Sequence, residues 1–131
     1  MNKKDINQVQ CGDYLMYNKQ IVRIRSVFIG NKSENTYSIF IETKNGKGYY
    51  VDIEELQSIT INPYTLESAG ITPTDDNVFF YVEGVRVKFD RRMGVVDSIS
   101  HDESGACLDM AITDFHVLQN ALRLFGVEVI L

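Results

Sequence analysis

Tryptophan is absent from the 131 residues, and proline and cysteine occur only twice each. With so few prolines and no compositionally biased stretch, a disordered or Pro-rich chain is excluded. Cys11 and Cys107 lie far apart and form no CxxC spacing. The functional readings are a disulfide or a metal site, and the expected one, in a chain read as unsecreted, is two small buried or half-buried thiols. No apolar run reaches the roughly 20 residues of a membrane helix. MNKKDINQVQ lacks the apolar core of a secretory signal, so the expected compartment is the cytoplasm and no membrane partner is expected.

Histidine is scarce as well, with only His101 and His116. Neither has Cys, Asp or Glu at a metal-ligand spacing, and no glycine-rich phosphate loop or GxSxG elbow occurs. HDESG reads as a turn, and Asp52, Glu54 and Glu55 as an exposed acidic turn. The chain is therefore expected to be a non-enzyme that needs no cofactor. A hydrolase built on a histidine and a carboxylate brought together by the fold is the third-ranked reading.

Positive charge is also short overall, for a net charge of −5. Residues 1–48 hold eight Lys/Arg against four acids, residues 49–83 seven acids and no Lys/Arg, and residues 84–131 five against seven. Broad nucleic-acid binding, which draws its affinity from phosphate neutralisation, is disfavoured.

What is abundant is period-two alternation. GDYLMY (12–17), QIVRIRSVF (20–28), TYSIFIE (36–42) and GYYVDI (48–53) read as short antiparallel strands. Val22, Ile24 and Phe28 are expected on one side of the second strand, with Arg23 and Arg25 on the other. Tyr37, Ile39 and Ile41 share a face of the third, and Tyr49, Val51 and Ile53 of the fourth. Asn18-Lys19 and Asn45-Gly46 mark hairpins, and GNKSEN (30–35) is a loop. EELQ makes one helical turn before a short strand SITI (58–61). Five strands in this order, opened by GDYLMYNKQIVRIRSV, resemble an SH3-like or Tudor-like small barrel, a resemblance nearly silent on function.

Asn62, Pro63 and Gly70 predict a short helix over PYTLESA, as cap, first residue and terminator. TPTDDN (72–77) is a loop. VFFYV (78–82) and VRVKFD (85–90) flank the Glu83-Gly84 turn, and GVVDSIS (94–100) and ACLDMAI (106–112) form a second pair, giving a sheet of about four strands. Thr113 or Asp114 caps a closing helix that runs to Phe125. Its apolar stripe contains Phe115, Leu118, Leu122 and Phe125, and Gly126 ends it. VEVIL (127–131) reads as a terminal strand.

Three sets of residues are candidates for binding. His116, Gln119, Asn120 and Arg123 gather on one helix face opposite the apolar stripe. They would form a hydrogen-bonding strip for a partner or an anion; the plain alternative is a solvated face. Tyr50, with Arg23 and Arg25 nearby, would form an aromatic-basic patch suited to a nucleotide or an acidic peptide. Core filling is the alternative for most tyrosines. Arg86, Lys88, Arg91 and Arg92 are the densest basic cluster and would contact an anion; the alternative is the protective charge of an edge strand.

The closing phrase HVLQNALRLFGVEVIL resembles a pattern found in small proteins of gut bacteria, their bacteriophages and mobile elements. These also open on a hairpin like GDYLMYNKQIVRI and carry a segment like INPYTLESAGI, so the likeness runs through nearly the whole chain. It implies an accessory protein of a phage or mobile element and carries no activity with it. The expected architecture is α+β, with an SH3-like barrel over 1–61. A short helix, an antiparallel sheet and a helix-strand ending over 62–131 are expected to share its core. The expected function is a binding module that engages a host or phage protein, as an inhibitor of a defence or housekeeping function. The alternative is a small-ligand binder that sequesters a nucleotide signal, with homo-oligomerisation open.

Overall fold

Alternating apolar residues produce the sheets in both halves of the chain. The computed structural model describes residues 9–29, 37–76 and 78–131, in two units, Met1–Ile59 and Thr60–Leu131. The expected GNKSEN loop and the Tyr37 side chain lie outside the described residues.

In the first unit β1 (Tyr14–Tyr17), β2 (Gln20–Ile29), β3 (Tyr37–Thr43) and β4 (Gly48–Val51) form an antiparallel sheet in that order. Asn18 and Lys19 turn the first hairpin at φ 49° and 64°, a turn whose twist matches the flanking strands. Leu15, Val22, Ile24, Ile39, Ile41, Val51, Ile53 and Leu56 make the core. Asp52 and Glu55 cap the 3₁₀ turn Ile53–Glu55 reciprocally, so the acidic cluster there is a capping box.

The structure corrects several expectations for this unit. Among the described residues the sheet is open, with β1 and β4 at its edges and no pairing that closes it. SITI is not a strand; it makes one isolated bridge, Thr60 to Asp114, and Gln57 just before it bridges Met16. Phe28 does not share the side of Val22 and Ile24. A bulge between Ile24 and Ser26 inserts Arg25 as an extra residue, so Val27 pairs with the buried Ile39 and Phe28 turns outward. Tyr49 sits opposite the buried Ile41 but is exposed, because it lies at the hairpin end of an edge strand that no further strand covers.

In the second unit Asn62 accepts a hydrogen bond from the Thr65 amide (2.8 Å) and caps α1 (Pro63–Ser68). The sheet has five antiparallel strands, β5 (Thr72–Pro73), β6 (Phe79–Val82), β7 (Val85–Asp90), β8 (Val95–His101) and β9 (Cys107–Ile112), in sequence order. The fifth strand comes from the expected TPTDDN loop, where Thr72 and Pro73 pair with Tyr81 and Phe80. Pro73 is tolerated because β5 is an edge.

Phe80, Val87 and Ile99 align across β6, β7 and β8 and are buried, and Phe80 meets Phe89 edge-on at 6.0 Å. α2 (Phe115–Arg123) touches β9 and buries Phe115, Leu118 and Leu122. It ends two residues before Phe125, and Gly126 takes φ 78°, the left-handed conformation that terminates helices at low cost. VEVIL is not a strand. Val127 and Val129 are buried, but the segment joins neither sheet.

Candidate binding surfaces

The helix strip is not a wet face. His116 and Gln119 are 1% and 0% exposed, whereas Leu124 is 78% exposed. The buried residues run from Ala121 through Leu118, Leu122, Phe115 and Gln119 to His116, an arc of about 220° at 3.6 residues per turn. The polar positions flanking the apolar stripe thus fall inside it. Asn120 and Arg123 are half-buried. The Arg123 guanidinium donates to Asn120 Oδ1 (2.6 Å) and Glu128 Oε1 (2.9 Å). These bonds tie the helix end to the segment after Gly126.

His101 is engaged in its own turn. Its Nδ1 lies 2.9 Å from Ser104 Oγ and accepts from the Ser104 amide at 3.1 Å, while the ring stacks on Phe125 at 6.2 Å and 11°. A His–Ser contact is the first element of a nucleophile–base pair. Here the backbone amide of the same serine competes for the one lone pair of Nδ1, and Ser104 Oγ itself accepts from the Ala106 amide. That is the bonding of a turn. Among the described residues no group of three metal-ligating side chains occurs.

Both cysteines are exposed, contrary to expectation. Desolvation, and after it the hydrogen bond and charge of Asp109, push the Cys107 thiol above its ordinary value.

The patch expected around Tyr50 forms with different members. Tyr50, 68% exposed, packs at 4.9 Å from Phe40 and 6.4 Å from Phe28, which is 52% exposed. The three rings come from three adjacent strands on the outer side of the first sheet. A Cβ on Gly48 would overlap the Phe40 ring, so the glycine lets that ring lie flat against β4. The two arginines are engaged elsewhere. Arg23 lies over the Tyr14 ring at 5.1 Å and donates to the Gly12 carbonyl, and Arg25 pairs with Glu42 at 3.0 Å. Glu42 holds the Arg25 guanidinium above its ordinary pKa by hydrogen bond and charge.

Arg86 and Lys88 lie on β7, which has neighbours on both sides, so edge protection does not explain them. Across the ladder Lys88 faces Phe79 and Ser98, and Arg86 faces Tyr81 and Ser100. The aromatic-basic pairing expected on the first sheet therefore occurs on the second. Arg86 pairs with Asp102 at 3.1 Å, both side chains well exposed, and Arg91 lies over the Phe80 ring at 5.6 Å. Lys88, Arg91 and Arg92 line a concavity of 340 Å³ with Val78, Phe89, Asp90 and Asp97. A larger concavity of 510 Å³ is rimmed by Glu83 and Glu128 and contains no cation.

The chain matches no family model, no curated protein and no solved structure.

Two functional candidates were missed by reading the sequence. Phe40 had a signal, since alternation places it opposite Ile39 and Ile41. Phe28 had none, because a bulge leaves no mark in hydrophobic period.

Proposed function

We propose that this protein is a non-enzymatic binding module whose contact surface is the Phe28–Phe40–Tyr50 face of its first sheet. One observation carries the reading: three aromatic rings on three neighbouring strands stand on the solvent side. Buried aromatic area is the main source of energy at protein interfaces. The adjoining β4 edge is GYYV, without a charge or a proline to discourage a partner strand. A partner segment added along β4 would bring its side chains onto Tyr50.

The partner is a host or phage protein, and the setting is that of a phage or mobile-element accessory protein in the cytoplasm. The resemblances in HVLQNALRLFGVEVIL and GDYLMYNKQIVRI support that setting. We read the first unit as SH3-like in its strand order, with its sheet left open among the described residues. The Met16–Gln57 bridge, which returns the chain after the 3₁₀ turn to β1, supports that reading.

Affinity capture with tagged protein tests the proposal. A stoichiometric partner should be recovered by the parent chain and lost at least tenfold by the Phe28→Ser, Tyr50→Ser double variant. Thermal melting should show both proteins folded. Undiminished capture by a folded double variant would remove this face from the contact.

A further inference from the structure

We infer that the outer side of the second sheet binds a nucleoside phosphate, with its phosphate held over the 340 Å³ concavity by Lys88 and Arg92 and its base laid on Phe79 and Tyr81. The inference is independent of the protein partner proposed above, since it uses a different sheet.

Charge is the first argument. A chain of net charge −5 places four cations within residues 86–92. Among the described residues, neither Lys88 nor Arg92 forms a salt bridge. Of the two carboxylates on the rim, Asp90 keeps its charge but is held in its own turn, its Oδ1 accepting from the Arg92 and Met93 amides at 2.9 and 3.2 Å. That turn fixes the backbone from which the Arg92 side chain departs.

The second argument is the ladder. Directly opposed residues on neighbouring strands have Cβ atoms about 5 Å apart, so Phe79 stands beside Lys88 and Tyr81 beside Arg86. One strand further on, Ser98 and Ser100 supply hydroxyls on the same side. Rings beside cations in adjacent columns give the base and the phosphate of a nucleotide neighbouring contacts. Ring stacking tolerates any base. The concavity of 340 Å³ has room for the phosphate, while Phe79 and Tyr81 stand outside its lining on the open sheet face.

Asp97 is the opposing feature. It lines the same concavity, and no hydrogen bond or ion pair engages it among the described residues. Its charge opposes a phosphate there, so the affinity of the natural chain is modest and removal of that charge strengthens binding. This sign is opposite to what loss of a ligand contact would give.

The test is a titration of the full chain, followed by amide chemical shifts, with adenosine 5′-monophosphate, adenosine, inorganic phosphate and a short single-stranded oligoadenylate. Shifts from the monophosphate should centre on Phe79, Lys88 and Arg92. Lys88→Glu with Arg92→Glu should weaken binding at least tenfold, and Asp97→Asn should tighten it severalfold. Adenosine and phosphate alone should each bind at least tenfold more weakly. Oligonucleotide binding at least tenfold tighter than the monophosphate would assign the nucleotide to a strand, and equal binding would assign it to a free metabolite. Three results would overturn the inference: no shifts at millimolar ligand, shifts elsewhere, or phosphate binding as well as the nucleotide. The variants lie on exposed positions, and circular dichroism verifies that they fold.

Discussion

The two sheets share one construction rule and use their solvent sides differently. On the first, Tyr50 packs against both Phe28 and Phe40, and Arg25 and Arg23 are drawn off to Glu42 and to Tyr14. On the second, rings and cations alternate across the ladder, with Phe79 beside Lys88 and Tyr81 beside Arg86. The core positions of both, such as Ile24, Ile39 and Ile41 on the first and Phe80, Val87 and Ile99 on the second, are aliphatic or aromatic and fully buried. The inner residues of a sheet thus specify the fold, while its outer columns are free to diverge. One outer side here suits an apolar protein surface and the other an anion.

The sharpest way to break this contrast is to remove the core beneath one face. Ile41→Ala, and separately Phe80→Ala, should each lower unfolding free energy by about 2–5 kcal/mol, read by denaturant titration. A loss below ~1 kcal/mol would mean that the side chain is not packed as described. Next in size is the organisation of the rings. Gly48→Val places a branched side chain where the Phe40 ring lies, so partner capture should fall severalfold while nucleotide titration of the second sheet stays unchanged. Retained capture would show that the three rings need not be arrayed together.

A smaller effect concerns the helix once read as a recognition strip. Arg123→Ala removes the bonds to Asn120 and Glu128 and should cost about 1 kcal/mol without altering capture. A change in capture at constant stability would restore the strip as a contact.

The smallest effect is a pH dependence at the edge of the second sheet. Asp76 accepts from the Thr74 hydroxyl and then from the Phe79 and Val78 amides, which lower its carboxyl below the ordinary 3.8. A depressed folded value stabilises the turn between β5 and β6 above pH 3.8, and that contribution is lost as the pH falls through the lower folded value. The carboxyl carbon of Asp76 should titrate with a midpoint below 3.8. A midpoint at or above it would contradict the turn geometry.

The strands, hairpins and both helices were legible because period two, period 3.6 and turn residues are local signals. Val22 and Ile24 betray an inner face, and Asn62-Pro63 and Gly126 betray helix ends. Pairing that depends on the rest of the fold was not legible. Thr72-Pro73 joins a sheet only because β6 presents an edge, and VEVIL alternates like a strand without finding one. His116 and Gln119 look polar in a helical projection, but the burial of α2 depends on what surrounds it, and no single helix records its surroundings. The exposed thiols were misjudged for the same reason.

The extra residue at Arg25 has a consequence for heredity as well as shape. Deleting that one codon would remove the bulge yet keep Val27 inward and Phe28 outward, because Ile24, Ser26, Val27 and Phe28 already alternate along the rest of the ladder. The outward place of Phe28 thus survives loss of the insertion, whereas deleting Val27 alone would shift the parity after Ser26 and turn that ring inward.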